Sequence, residues 1–169
     1  AAPGPDTATP GAPPRSPPAP AAAAPPGPVA TAPPVRNPSD GIAEQRAYDA
    51  ALDQFKRGDY PGAINGFNAF LKAYPRSPLA ASAQYWVGNA HYALRDYRSA
   101  IASQRQLVAS YPDSQKVPDA LLNISSSQIE LGDTVGAKRT LEDLALRYPA
   151  SEAAERAKKD LSQTANTDI

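Results

Sequence analysis

RDYRSAIASQRQLVASYPDS, residues 95–114, is the stretch that decides the fold. It opens on the turn Arg95-Asp96-Tyr97, carries Ala100 three residues beyond it, and closes on Tyr111-Pro112-Asp113-Ser114. Thirty-seven residues upstream the same frame reads GDYPGAINGFNAFLKAYPRS, with Gly58-Asp59-Tyr60, Ala63 and Tyr74-Pro75-Arg76-Ser77. Thirty-seven residues downstream it reads GDTVGAKRTLEDLALRYPAS, with Gly132-Asp133-Thr134, Ala137 and Tyr148-Pro149-Ala150-Ser151. Three markers in register three times define an internal repeat.

Each marker has a physical job. Gly58 and Gly132 suit a left-handed residue that ends a helix without a Cβ clash. Arg95 replaces that glycine in the middle repeat, so that helix end is expected to be strained or differently closed. Asp59, Asp96 and Asp133 can cap the following helix through a side-chain oxygen. Ala63, Ala100 and Ala137 fit where two helices of a hairpin cross closely. Each Tyr-Pro pair ends a second helix, because proline disfavours helical geometry in the residue before it. Ser77 is then expected to cap the next helix with Pro78 at its first position. Ser151 should do the same for a final helix, with Glu152 and Glu155 at the positive end of its dipole.

The resulting expectation is all-α: helices near 42–57, 60–74, 78–94, 97–111, 115–131, 134–148 and 151–164. They form three hairpins (about 42–77, 78–114 and 115–150) and a cap, 151–165, within a domain of residues 41–165. Isolated helices of this length are marginal, so each must bury an apolar face. Candidates in the second helices are Ile64, Phe67, Phe70, Leu71, Ile101, Leu107, Val108, Leu141, Leu144 and Leu146. In the first helices they are Ala51, Val87, Leu94, Leu121, Ile124 and Leu131. Ala153, Ala154, Ala157 and Leu161 give the last helix one apolar side. Gly62 and Gly66 allow close packing.

Outside the repeats the composition changes. Of the 20 prolines, 14 lie in residues 1–40, which hold no aromatic residue. Such a segment cannot bury enough apolar surface to offset its ordering entropy, and it reads as a disordered Pro/Ala-rich linker. At about 3.1 Å per residue in polyproline II geometry it would span at most roughly 120 Å. A spacer, a tail without a role and a ligand for proline-recognising domains all fit this composition. Residues 166–169 read as a frayed tail. Neither methionine nor cysteine is present, so the chain reads as a processed product or a fragment of a longer precursor.

Basic and acidic residues balance at 17 each, with no basic stripe, which argues against nucleic acid. No apolar run is long enough for a membrane span. Without cysteine there are no disulfides or thiolate sites, and no cofactor or metal is expected. A lone His91 is weak evidence for catalysis. No enzyme activity is expected.

At this point the residues resemble the tetratricopeptide repeat, a helix pair of 34 residues with the glycine–acid–aromatic turn, the following alanine and a closing proline. Here each unit has three extra residues, which lie after the proline in the stretches Pro75–Leu79 and Pro112–Pro118. The stretches Tyr85–Tyr92, Tyr111–Leu122 and Tyr148–Ala154 look most like the C-terminal domain of the YbgF/CpoB family of Tol-Pal-associated cell-division coordinators. That resemblance implies a periplasmic, non-catalytic module. It implies a precursor with a signal peptide and a trimerising coiled coil, neither present here, so this fragment is expected to be monomeric. The implied partners are TolA and a bifunctional peptidoglycan synthase, coupling septal wall synthesis to outer-membrane constriction. The alternative is a scaffold of an outer-membrane assembly lipoprotein or of a secretion or pilus accessory protein.

In such arrays the first helix of each pair lines a concave groove. Helical spacing places Tyr48, Leu52 and Phe55, then Tyr85, Asn89 and Tyr92, then Leu122, Ser126 and Ile129 on that face. Aromatic side chains supply contact area at low entropic cost, and Asn89 could hydrogen-bond a bound backbone. The tyrosines could equally fill space between repeats, and Trp86 reads as core.

Overall fold

The computed structural model describes residues 38–165. The expected linker up to residue 37 and the tail 166–169 lie outside the described residues. Seven helices follow one another: α1 (Pro38–Lys56), α2 (Tyr60–Ala73), α3 (Ala80–Ala93), α4 (Tyr97–Ser110), α5 (Val117–Glu130), α6 (Thr134–Arg147) and α7 (Glu152–Ala165). Each packs on the next, and the first helices also meet one another, α1 with α3, α3 with α5 and α5 with α7. This is the all-α array of three hairpins and a capping helix expected from the repeat. Helix α1 starts four residues before the expected Ile42. Pro38 tolerates a first-turn position and Asp40 complements the dipole there, so residues 38–40 belong to the helix and not to the linker.

The turn chemistry is as the markers require. The backbone N–H groups of Gly62, Ser99 and Gly136 donate to Oδ1 of Asp59, Asp96 and Asp133 at 3.0, 3.2 and 2.9 Å. Gly58 and Gly132 have φ of +82° and +80°, and Arg95 is held at +60° in the same place. An L-residue in that region pays for Cβ crowding, so the middle turn carries strain the other two lack.

One cap differs from expectation. Helix α3 begins at Ala80, not at Pro78, and its N-cap residue Leu79 makes no side-chain cap. Ser77 Oγ accepts from Leu79 N at 3.0 Å and the Ser77 carbonyl accepts from Ala80 N at 3.0 Å, so the added residues form an extra turn before the helix. Ser114 repeats this, with Lys116 N at 3.1 Å. Ser151 does cap α7, accepting from Ala154 N at 3.1 Å.

The core forms two clusters. One joins Tyr48, Ala51, Ala63, Phe67, Phe70, Ala83 and Val87; the other joins Leu107, Val117, Leu121, Ile124, Leu141, Leu144 and Ala157 with their neighbours. Ala63, Ala100 and Ala137 are all buried at the hairpin crossings. A Cβ on Gly66 would stand 2.9 Å from Ala51 Cβ, which explains that glycine. Three leucines expected in the core are exposed. Leu94 and Leu131 sit at the ends of α3 and α5, where no further turn covers them. Leu146, 81% exposed, follows the buried Leu144 by two residues, about 200° round the helix. None of the described helices is long and apolar enough to cross a membrane.

Candidate functional site

The face on which α1, α3 and α5 line up is built by the 37-residue register, which brings equivalent positions of successive first helices side by side. Tyr48 does not belong to it. At 9% exposure it lies in the core, its ring edge-on to Phe67 and Phe70 at 5.5 and 5.8 Å. The cause is Trp86, whose indole N–H donates to the Tyr48 hydroxyl at 2.9 Å and covers it from α3. Burial raises the Tyr48 pKa, against the lowering effect of that bond. Trp86 thus fills the space between repeats, touching Phe55 at 4.9 Å and Tyr85 at 5.6 Å between ring centroids.

The other eight expected residues keep solvent access. Leu52, Phe55, Tyr85, Asn89, Tyr92, Leu122 and Ser126 are half-buried and Ile129 is 49% exposed. Phe55 also meets Tyr60 edge-on at 5.2 Å, and Tyr92 meets Tyr97 likewise at 5.2 Å. Burial, then the Glu130 charge, raises the Tyr92 pKa. Lys116 Nζ lies 5.0 Å from the centre of the Tyr85 ring, a cation–π contact. Ser126 Oγ donates to the Leu122 carbonyl at 3.1 Å.

Two features were not foreseen. Asn123 Nδ2 donates to Asn89 Oδ1, so the amide expected to meet a ligand backbone is one half of a pair. Asn123 stands one register step from Trp86, and both reach back to the preceding first helix. That common position was the signal in the sequence. The second feature is Gln104, buried where the other repeats have Phe67 and Leu141. Its Nε2 donates to the Tyr85 carbonyl at 3.1 Å, in space that only a glycine at position 88 leaves open. Gln104 therefore braces the α3 backbone at the half-buried Tyr85.

His91 faces Asp96, Nδ1 to Oδ2 at 3.4 Å. Hydrogen bonds from Ser99 are the main cause that lowers the Asp96 pKa, and His91 adds to it. Among the described residues no group of three His, Asp or Glu side chains could hold a metal ion. Three clefts, of about 590, 360 and 520 Å³, lie elsewhere: two at the Tyr-Pro-x-Ser turns and one between α4 and α6. None is lined by the first-helix set. That set makes an open, ring- and amide-bearing strip suited to a polypeptide laid across it.

Residues 48–115 and 119–151 each match a family model described as tetratricopeptide repeat, and together these spans cover more than half of the chain. The chain is similar to the cell division coordinator CpoB of Pseudomonas putida, 46% identical over 59 residues. That stretch is 35% of this chain and 22% of the relative's length. In fold, the chain is similar to the type III secretion translocator chaperone SycD of Yersinia enterocolitica, with a TM-score of 0.63 and 18% identity over 78% of this chain and 98% of that one. PcrH of Pseudomonas aeruginosa gives a TM-score of 0.61 and 21% identity over 72% and 91% of the two chains.

Proposed function

The chain belongs to the tetratricopeptide-repeat family, and from that premise we propose that its first-helix face docks a protein partner in cell division. The observation that carries this reading is the strip itself. Tyr85, Asn89, Tyr92, Leu122 and Ser126 remain partly exposed on one face, although Tyr85 and Leu122 also pack one side against the core. Large rings held by neighbours lose little entropy when a partner covers them.

The 46% identity to the coordinator CpoB supports a finer assignment. The protein acts in the periplasm, where TolA and a bifunctional peptidoglycan synthase are its partners. It would link septal wall synthesis to constriction of the outer membrane, without catalysis of its own. The reading as a secretion or lipoprotein scaffold stays second, because the likeness to SycD and PcrH is one of fold alone.

The test is a Tyr85→Ala/Tyr92→Ala double variant of the full chain, with purified TolA and synthase on a biosensor. Its helical circular dichroism should match the parent, and partner binding should fall by more than about tenfold, the loss of two aromatic anchors. Undiminished binding by the folded variant would move the interface elsewhere.

A further inference from the structure

A different face of the array carries a different chemistry. The cleft of about 360 Å³ between α4 and α6 has α5 as its floor, within the usual range for ligand sites. Leu121 and Ile124 form the buried base and Val108 a half-buried wall. The rim is charged, with Arg105 on α4 and Arg139 and Asp143 on α6.

The register shows why the cleft opens here. One repeat earlier, Gln84 stands where Leu121 stands, and its Nε2 donates to the Ser103 carbonyl at 2.9 Å, closing the gap from α3 to α4. Leu121 has no such group to offer. Thr140, the counterpart of Ser103, turns its hydroxyl to Gln128 Oε1 at 2.8 Å and to the Gly136 carbonyl at 3.0 Å. The cleft therefore keeps an apolar base with no polar bridge closing it from α5 to α6.

The rim charges are unbalanced. Asp143 is engaged by Arg147 at 3.1 Å. Arg105 and Arg139 are exposed and have no hydrogen-bond or ion-pair partner among the described residues. A planar guanidinium favours a carboxylate, which it can hold through two parallel bonds. Two cations over an apolar base do not form the basic stripe that nucleic acid needs.

We propose that this cleft docks a short acidic segment of a partner polypeptide. One bulky apolar side chain sits on Val108, Leu121 and Ile124, and flanking carboxylates meet Arg105 and Arg139. The site shares no residue with the first-helix strip and is independent of it, so one chain can hold two segments at once.

The test titrates ¹⁵N-labelled full chain with the synthetic peptide Gly-Ser-Glu-Leu-Leu-Asp-Gly-Ser, and with its counterpart carrying lysine at both acidic positions. The acidic peptide should shift the amides of Val108, Leu121 and Arg139 saturably, and the lysine peptide should not. Arg105→Glu/Arg139→Glu alters only exposed side chains. It should keep the parent's melting temperature, weaken the acidic peptide by about tenfold or more, and admit the lysine peptide. Tyr85→Ala/Tyr92→Ala should leave the titration unchanged. Absence of saturable shifts at the cleft, equal binding of both peptides, or shifts confined to the first-helix strip would each overturn the proposal. The same shifts appearing with protein concentration alone would assign the cleft to self-association and overturn it too.

Discussion

The indole N–H of Trp86 and the hydroxyl of Tyr48 form a 2.9 Å hydrogen bond between α3 and α1. It joins the first two repeats and withdraws Tyr48 from the face its register would give it. Tyr48→Phe keeps the ring packing on Phe67 and Phe70 and removes the acceptor. The variant should lose about 1 kcal/mol in urea unfolding. Trp86 is the single tryptophan, so its emission should move with the change. Identical midpoint and spectrum would show that the bond adds nothing.

Ala100, 1% exposed, stands at the crossing of α3 and α4. Ala100→Leu should overpack that hairpin and destabilise by about 1–3 kcal/mol. Urea midpoints of the two proteins, compared at equal slope, decide this. An unshifted midpoint would mean that the crossing has room.

Arg95 occupies φ +60° where its counterparts are glycines. Arg95→Gly should therefore raise stability, by up to about 1 kcal/mol once the extra freedom of unfolded glycine is counted. The complementary change, Gly58→Arg, should lower it. A thermal melt in which both variants shift in the same direction would refute the strain.

The Asp96 pKa is lowered mainly by the hydrogen bonds from Ser99, with His91 contributing. A carboxylate lowered in the folded state adds stability above its unfolded pKa of about 3.9 and loses it as pH falls through the folded value. Asp96→Asn still caps α4, so its cost at pH 7 should be small, while the acid limb of its stability curve should flatten. Asp96→Ala should cost about 1 kcal/mol at pH 7 through the lost cap. Parallel acid limbs for parent and Asp96→Asn would rule out this linkage.

The helices were legible because their signals are local. A glycine, an aspartate and a Tyr-Pro pair fix turn geometry within a few residues, and all seven helices follow. The site was less so, because exposure depends on what a neighbouring repeat does. Tyr48 and Tyr85 share a register position, yet the next helix places Trp86 over the first and Asn123 beside Asn89 instead. Gln104 breaks an apolar pattern that reads Phe67 and Leu141 on either side, and only the facing Gly88 makes room for it. The extra turn after the first two Tyr-Pro pairs was visible as three added residues, but not the shift of the α3 start from Pro78 to Ala80.

Glu44 accepts the hydroxyl of Ser77, and both side chains are buried. Glu44 lies within the first two turns of α1, while Ser77 lies in the turn that opens the second repeat. A tension applied to the chain ahead of Pro38 therefore meets, almost at once, a fastening to the next repeat. Peeling α1 from its start would have to break that buried contact early, so a mechanical load entering there is shared between two repeats and not borne by the first alone.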